Sequence, residues 1–144
     1  MIQRIQSLYM LITAVLMGVT AFCPLAEIGI NGVPMKLQAS GLVYMEILVA
    51  IAALLPFVMI WLFKNLLLQL RLCFAEIMLL VGAQAFFVIY IMKVYNGVSE
   101  GFGDVYMSAA LPTVFPAIGI VLMILSIRAV SKDFRKINSL NRLR

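Results

Sequence analysis

Histidine is absent from the 144 residues, and acidic residues number only 6. The first absence removes the usual base of a Ser-His-Asp or Cys-His site and the commonest metal ligand. The second leaves scattered carboxylates and no metal-ligating constellation. Charge of either sign makes up 12% of the chain, against about 25% in an ordinary soluble domain. Cysteine occurs twice, as Cys23 at the far end of the first apolar segment and as Cys73 just past a central basic tip. The two are expected near opposite leaflets, too far apart for a disulfide, whose Cα atoms lie within about 7 Å. No catalytic residue, metal ligand or cofactor is expected.

What is present instead is 65% hydrophobic residues and a mean hydropathy of +1.11. A soluble domain of that composition would carry an apolar exterior and aggregate, so the bilayer is the expected solvent and 1–144 a single membrane domain. From Leu42 to Met92 the apolar run is nearly unbroken, interrupted by Lys64, Asn65, Gln69 and Arg71. As one helix it would reach roughly 75 Å, more than twice the ~30 Å hydrocarbon core. It must fold back, with its polar residues at the tip where Lys and Arg can snorkel.

Four spans are predicted, at about 5–22, 42–62, 72–92 and 111–127, with a tail over 128–144. The start has some features of a secretory leader, but bulky Phe22 precedes Cys23 where cleavage wants a small residue, so no removal is expected. Between spans one and two, Asn31-Gly32 flanked by alternating apolar residues signals a type I′ hairpin, with Pro34 confining its strand to an edge or a short length. The second connection, Lys93 to Ala110, reads as a glycine-rich loop ringed by Tyr95, Phe102 and Tyr106. Pro112 and Pro116 fall in the first turns of span four, where a missing N–H costs least. In the tail, Val130, Phe134, Ile137 and Leu140 recur at helical spacing among Arg128, Lys132, Arg135, Lys136, Arg142 and Arg144. That pattern predicts that span four continues into a basic amphipathic helix on the membrane face. The fold class is thus an all-α four-helix membrane bundle with a small extracytoplasmic β-hairpin.

Arg4, Lys64, Arg71 and the six tail cations fall on one side; Lys36, Lys93, Glu27, Glu100 and Asp104 fall on the other. The positive-inside rule then puts both termini in the cytoplasm. The cations report topology and lipid contact, not nucleic-acid binding.

Candidate chemistry is thin. Gly97-Val98-Ser99-Glu100-Gly101 matches G-x-S-x-G, but it sits in a loop without any histidine base, so a hydrolase is not expected. Intramembrane polar residues are stronger candidates: Glu46, Glu76 and Gln84. Glu46 and Glu76 sit roughly 15–20 Å apart in depth, too far to share a proton. Glu76 is expected to pair with Arg4 at the same depth, or with Arg71, and Gln84 to bond across helices. Small residues Ala14, Gly18, Gly82, Ala85, Ala117 and Gly119 allow close helix approach, within the bundle or against another membrane protein.

Met1 to Gln6, Phe63-Lys64-Asn65 with Leu68 to Cys73, and Arg128-Ala129 with Lys132-Asp133 and the closing Arg142-Leu143-Arg144 stand together on one side. In order and spacing they resemble an uncharacterised four-span family of Bacteroidota inner-membrane proteins, domain of unknown function 4293, over essentially the whole chain. The resemblance implies a bacterial cytoplasmic-membrane location and brings no activity. The expected role is a non-enzymatic accessory or scaffold subunit of an inner-membrane complex. It would dock on an integral membrane partner or on lipid headgroups through Lys64, Arg71, Arg128, Lys132, Phe134, Arg135, Lys136, Arg142 and Arg144, and a homo-oligomer is also allowed. The alternative is a lipid or small apolar molecule module with a cavity lined by Met78, Gln84, Phe86 and Phe87.

Overall fold

The computed structural model describes residues 3–30, 32–38, 42–62, 65–101 and 105–141, with side chains within 5–135. In order the elements are helix α1 (Gln3–Phe22), strands β1 (Pro24–Ile30) and β2 (Val33–Gln38), helix α2 (Val43–Trp61), helix α3 (Leu66–Ser99), strand β3 (Val105–Ala109), a 3-10 turn (Leu111–Val114) and helix α4 (Phe115–Asn141). All four helices are long and apolar enough to cross a membrane. They close into a ring in which α1 packs on α2 and α4, and α3 packs on the same two. One end of the bundle, the terminal end, carries the start of α1, the end of α2, the start of α3 and the end of α4; the other carries the strands.

The inward faces follow a seven-residue period. On α1, Gln6, Met10, Thr13, Met17 and Thr20 are buried; on α2, Met45, Val49, Ala52, Pro56 and Met59; on α3, Gln69, Cys73, Glu76, Leu80, Ala83, Phe87 and Ile91; on α4, Met123, Ser126 and Val130. Alternating steps of three and four residues keep one stripe facing its neighbours, as in left-handed coiled coils. Lipid would favour Leu, Ile and Phe on the outward faces, and Leu8, Val15, Leu54, Phe74, Met78, Phe86 and Val121 all stand exposed there. At Gly119 an added Cβ would lie 3.2 Å from Leu80 Cδ1 and 3.3 Å from Thr13 Cγ2. Glycine there lets α4 close against α1 and α3.

The strands form one antiparallel sheet in the order β2-β1-β3. Ile30 pairs with Val33, and Gly32 between them has φ +83°, a backbone state that glycine enters without penalty; Asn31 lies outside the described residues. One face of the sheet, with Ala26, Ile28 and Leu37 buried and Ile30 and Val105 partly so, continues the core of the bundle beside Val94, Tyr95 and Val98. The opposite face carries the register partners Glu27 and Lys36, 4.0 Å apart. Exposed as it is, that pair contributes at most about 1 kcal/mol. Gly29 lies opposite Tyr106, whose ring covers it closely enough that a Cβ would overlap the ring. The Leu25 carbonyl, beside a bulge, accepts from the Ala110 N–H at 2.9 Å and from the Thr113 hydroxyl, tying the sheet to the 3-10 turn that leads into α4.

Three features depart from the sequence expectation. The hairpin gains β3, whose partner β1 is remote in sequence and leaves no local signal. The expected glycine-rich loop is largely regular: α3 runs on to Ser99 before the turn and β3. The basic tip is shorter than expected, because α3 starts at Leu66 and carries Gln69 into the core, 3% exposed, and not to the surface. As expected, span four continues into the tail: α4 runs unbroken from Phe115 to Asn141.

Candidate functional site

The interior of the terminal end is polar. At its outermost level the Gln6 amide of α1 donates to the Asp133 carboxylate of α4 at 2.7 Å. Next comes Gln69 of α3, whose amide faces the Met10 sulfur at 3.6 Å and the Met59 carbonyl at 3.4 Å. About two turns further in lies Glu76, with zero exposure and neither carboxyl oxygen partnered by any described residue. Cys73 of α3 lies near both Glu76 and Ser126 of α4, and the Ser126 hydroxyl is likewise buried and unpartnered among the described residues. Beyond this level the bundle is filled by Met17, Leu80, Ala83, Phe87 and Met123, all with zero exposure. Thr13 and Thr20 are buried too, but each returns its hydroxyl to the carbonyl one turn back, at 3.0 and 2.8 Å, and so makes no bond across helices.

The structure separates the sequence candidates. Gln69 is already level with Met10, so Glu76 sits deeper than Arg4, and the expectation that those two share a depth is corrected. The reason is that α3 begins six residues earlier than anticipated, before Leu72. Glu46 is exposed in the first turn of α2 at the sheet end, where a negative charge suits the helix N-terminus. Gln84 is half-buried with an unpartnered carbonyl oxygen, so the expected bond across helices is not made through that atom. Phe87 is a core residue, whereas Met78 and Phe86 are 74% and 54% exposed on the outer face, so these do not line one cavity. Ser99 donates back to the Asn96 carbonyl at 3.0 Å at the exposed end of α3. The helical setting of Gly97 to Ser99 differs from a nucleophile elbow, which needs a strand-to-helix turn.

Arg71, Arg128, Lys132 and Arg135 are exposed around the terminal end. Lys64, Arg142 and Arg144, and the side chains of Arg4 and Lys136, lie outside the described residues. Phe134 and Arg135 join Leu66, Leu67, Leu70, Val130 and Ser131 in a groove of about 270 Å³ between the start of α3 and the last turns of α4. Among the described residues no three His, Cys, Asp or Glu side chains stand close enough to hold a metal ion.

Sequence reasoning missed Gln6, Gln69, Ser126 and Asp133. A signal for them exists: Gln6, Thr13 and Thr20; Gln69 and Glu76; and Gly119, Ser126 and Asp133 each recur at intervals of seven, marking the inward stripes by polarity.

No curated protein and no solved structure matches the chain. A family model does, over residues 2–143, and by that match the chain belongs to the family described as Domain of unknown function (DUF4293).

Proposed function

We propose that the chain is a non-catalytic accessory or scaffold subunit of a complex in a bacterial inner membrane, multi-pass, with both termini in the cytoplasm. The groove of Leu66, Leu67, Leu70, Val130 and Phe134 beneath Arg135 carries this reading. It is an apolar slot with a cationic rim at the basic end, suited to an apolar helix or tail with acidic flanks. Gly18 and Gly82 support it, because a Cβ at either would meet no atom within 4 Å. Small residues left open on outward faces leave room for a further helix. Under this reading the bundle packs its own core and offers a partner the α3–α4 groove together with the open outward positions on α1 and α3.

Purification from the native membrane in mild detergent, followed by mass spectrometry, tests it. A stoichiometric membrane protein should accompany the wild-type chain and be lost from the double variant Phe134→Glu, Arg135→Glu, while the thermal midpoint of the bundle stays unchanged. A second reading rests on the same groove: its lining fits an acyl chain, and Arg135 fits an anionic headgroup. Copurification of a tightly held anionic lipid in place of a protein, lost from the same variant, selects that reading.

A further inference from the structure

We propose that Glu76 is a proton-binding site, filled and emptied from the end of the bundle that carries the termini. The inference is independent of whether a partner occupies the groove. The carboxyl is fully enclosed, and neither oxygen is partnered among the described residues. A bare carboxylate in such a place costs several kcal/mol, a neutral carboxyl far less. Among the described residues, the groups around it offer no compensating charge. Its own helix supplies Cys73, with Arg71 exposed outside; α4 supplies neutral Ser126, with Arg128 exposed and Asp133 already engaged by Gln6; the buried faces of α1 and α2 are Met10, Thr13, Ala52, Pro56 and Met59.

A metal cation is a poorer occupant than a proton. An alkali cation needs several oxygens converging at ligand distance, whereas Gln69, the next buried acceptor on α3, is about two turns away. A proton needs no such set, because it is held by a covalent O–H bond to a single carboxylate oxygen. The proposed access is one-sided because Gln69, Gln6 and Asp133 lie on the terminal side of Glu76, while the apolar side chains of Leu80, Met17, Met123 and Phe87 fill the bundle toward the sheet. The step is simple association, carboxylate plus proton giving carboxylic acid, with the charge of the core changing by one. Release leaves an unpaired charge in the core, so it requires water to enter or α3 and α4 to part.

Infrared difference spectroscopy of the full chain in lipid vesicles tests this. At neutral pH a protonated-carboxyl stretch should be present, vanish in Glu76→Gln, and persist in Asp133→Asn and Glu46→Gln. Raising the pH on the terminal side alone should convert it to the carboxylate bands; raising it on the sheet side alone should not. If Glu76→Gln does not fold, the wild-type band is assigned by modification of Glu76 with an apolar carbodiimide, located by mass spectrometry. Absence of the stretch at neutral pH, its conversion by sodium or potassium ions at constant pH, or conversion from the sheet side would each overturn the proposal.

Discussion

The same substitution, glycine to alanine, should act oppositely at positions of one bundle that sequence alone treats alike. At Gly18 in α1 and Gly82 in α3 the new methyl meets open space, while at Gly119 it meets Leu80 and Thr13 at 3.2 and 3.3 Å. In the open positions only the backbone term remains, about 1 kcal/mol in favour of alanine within a helix. Gly18→Ala and Gly82→Ala should therefore raise the thermal midpoint by a few degrees. At Gly119 that gain is offset, because both neighbours must yield by tenths of an ångström, and Gly119→Ala should be close to neutral. Gly119→Val adds two further carbons to filled space and should cost about 1–3 kcal/mol. The buried Cys73 thiol, with zero exposure, provides the readout: heating in mild detergent with a thiol-reactive dye reports when the core opens. A fall in midpoint for Gly18→Ala or Gly82→Ala as large as that for Gly119→Val would refute the assignment of inward and outward faces. Under the subunit reading, Gly18→Ala or Gly82→Ala should also weaken partner capture without loss of stability.

Thr113→Val should cost about 1 kcal/mol, read as a lower midpoint, because the hydroxyl that joins Leu25 is lost while the Ala110 N–H keeps that carbonyl satisfied. Gly29→Ala should destabilise the wild-type chain by displacing the Tyr106 ring, yet stabilise a Tyr106→Ala chain by up to about 1 kcal/mol, since glycine is disfavoured in strands; the same sign in both backgrounds, by thermal unfolding, would remove the ring-over-glycine argument. In the folded protein, half-buried Cys23 should react with a small maleimide well before Cys73, and mass spectrometry of the two peptides over time would give the order.

Helices were legible in the sequence where length and apolarity decide the matter, and least legible where they do not. Leu42 to Met92 has to fold back because no bilayer is as thick as that run is long, and the fold-back is there between Leu62 and Asn65. Asn31-Gly32 named its hairpin through turn chemistry, and the register closes on that turn. Lys93 to Ser99 looked like loop because Asn96 and Gly97 are poor helix formers. In the fold α3 keeps its course there, with Val94, Tyr95 and Val98 packed against the core. Val105–Ala109 is too short to announce itself, and it becomes a strand only because β1 presents an open edge. The candidate site was half legible. Glu76 stood out as a carboxyl in an apolar run, but its surroundings depend on helix phase, and the phase was hidden by helices that are apolar on every side.

That hidden phase also bears on what the bundle is built to do. In water, hydrophobic residues identify the core; in lipid both the core and the exterior accept them, and polarity becomes the informative property. Here polar residues occupy the inward stripes of α1, α3 and α4, and none is buried on α2, whose stripe is Met45, Val49, Ala52, Pro56 and Met59. The buried polar side chains of the helices thus come from three of them, and the bonds they make across helices, Gln6 to Asp133 and Gln69 to Met10 and to the Met59 carbonyl of α2, lie toward the terminal end. The groove lies at that same end and is formed by two of those three helices, α3 and α4. Glu76 lies on α3 about two turns from Leu70, which lines the groove. Partner docking and proton binding, proposed on separate observations, thus meet at one helix pair. If both hold, thermodynamic reciprocity requires that a partner gripping that pair in one state shift the protonation of Glu76, and that protonation shift the partner's affinity by the same factor.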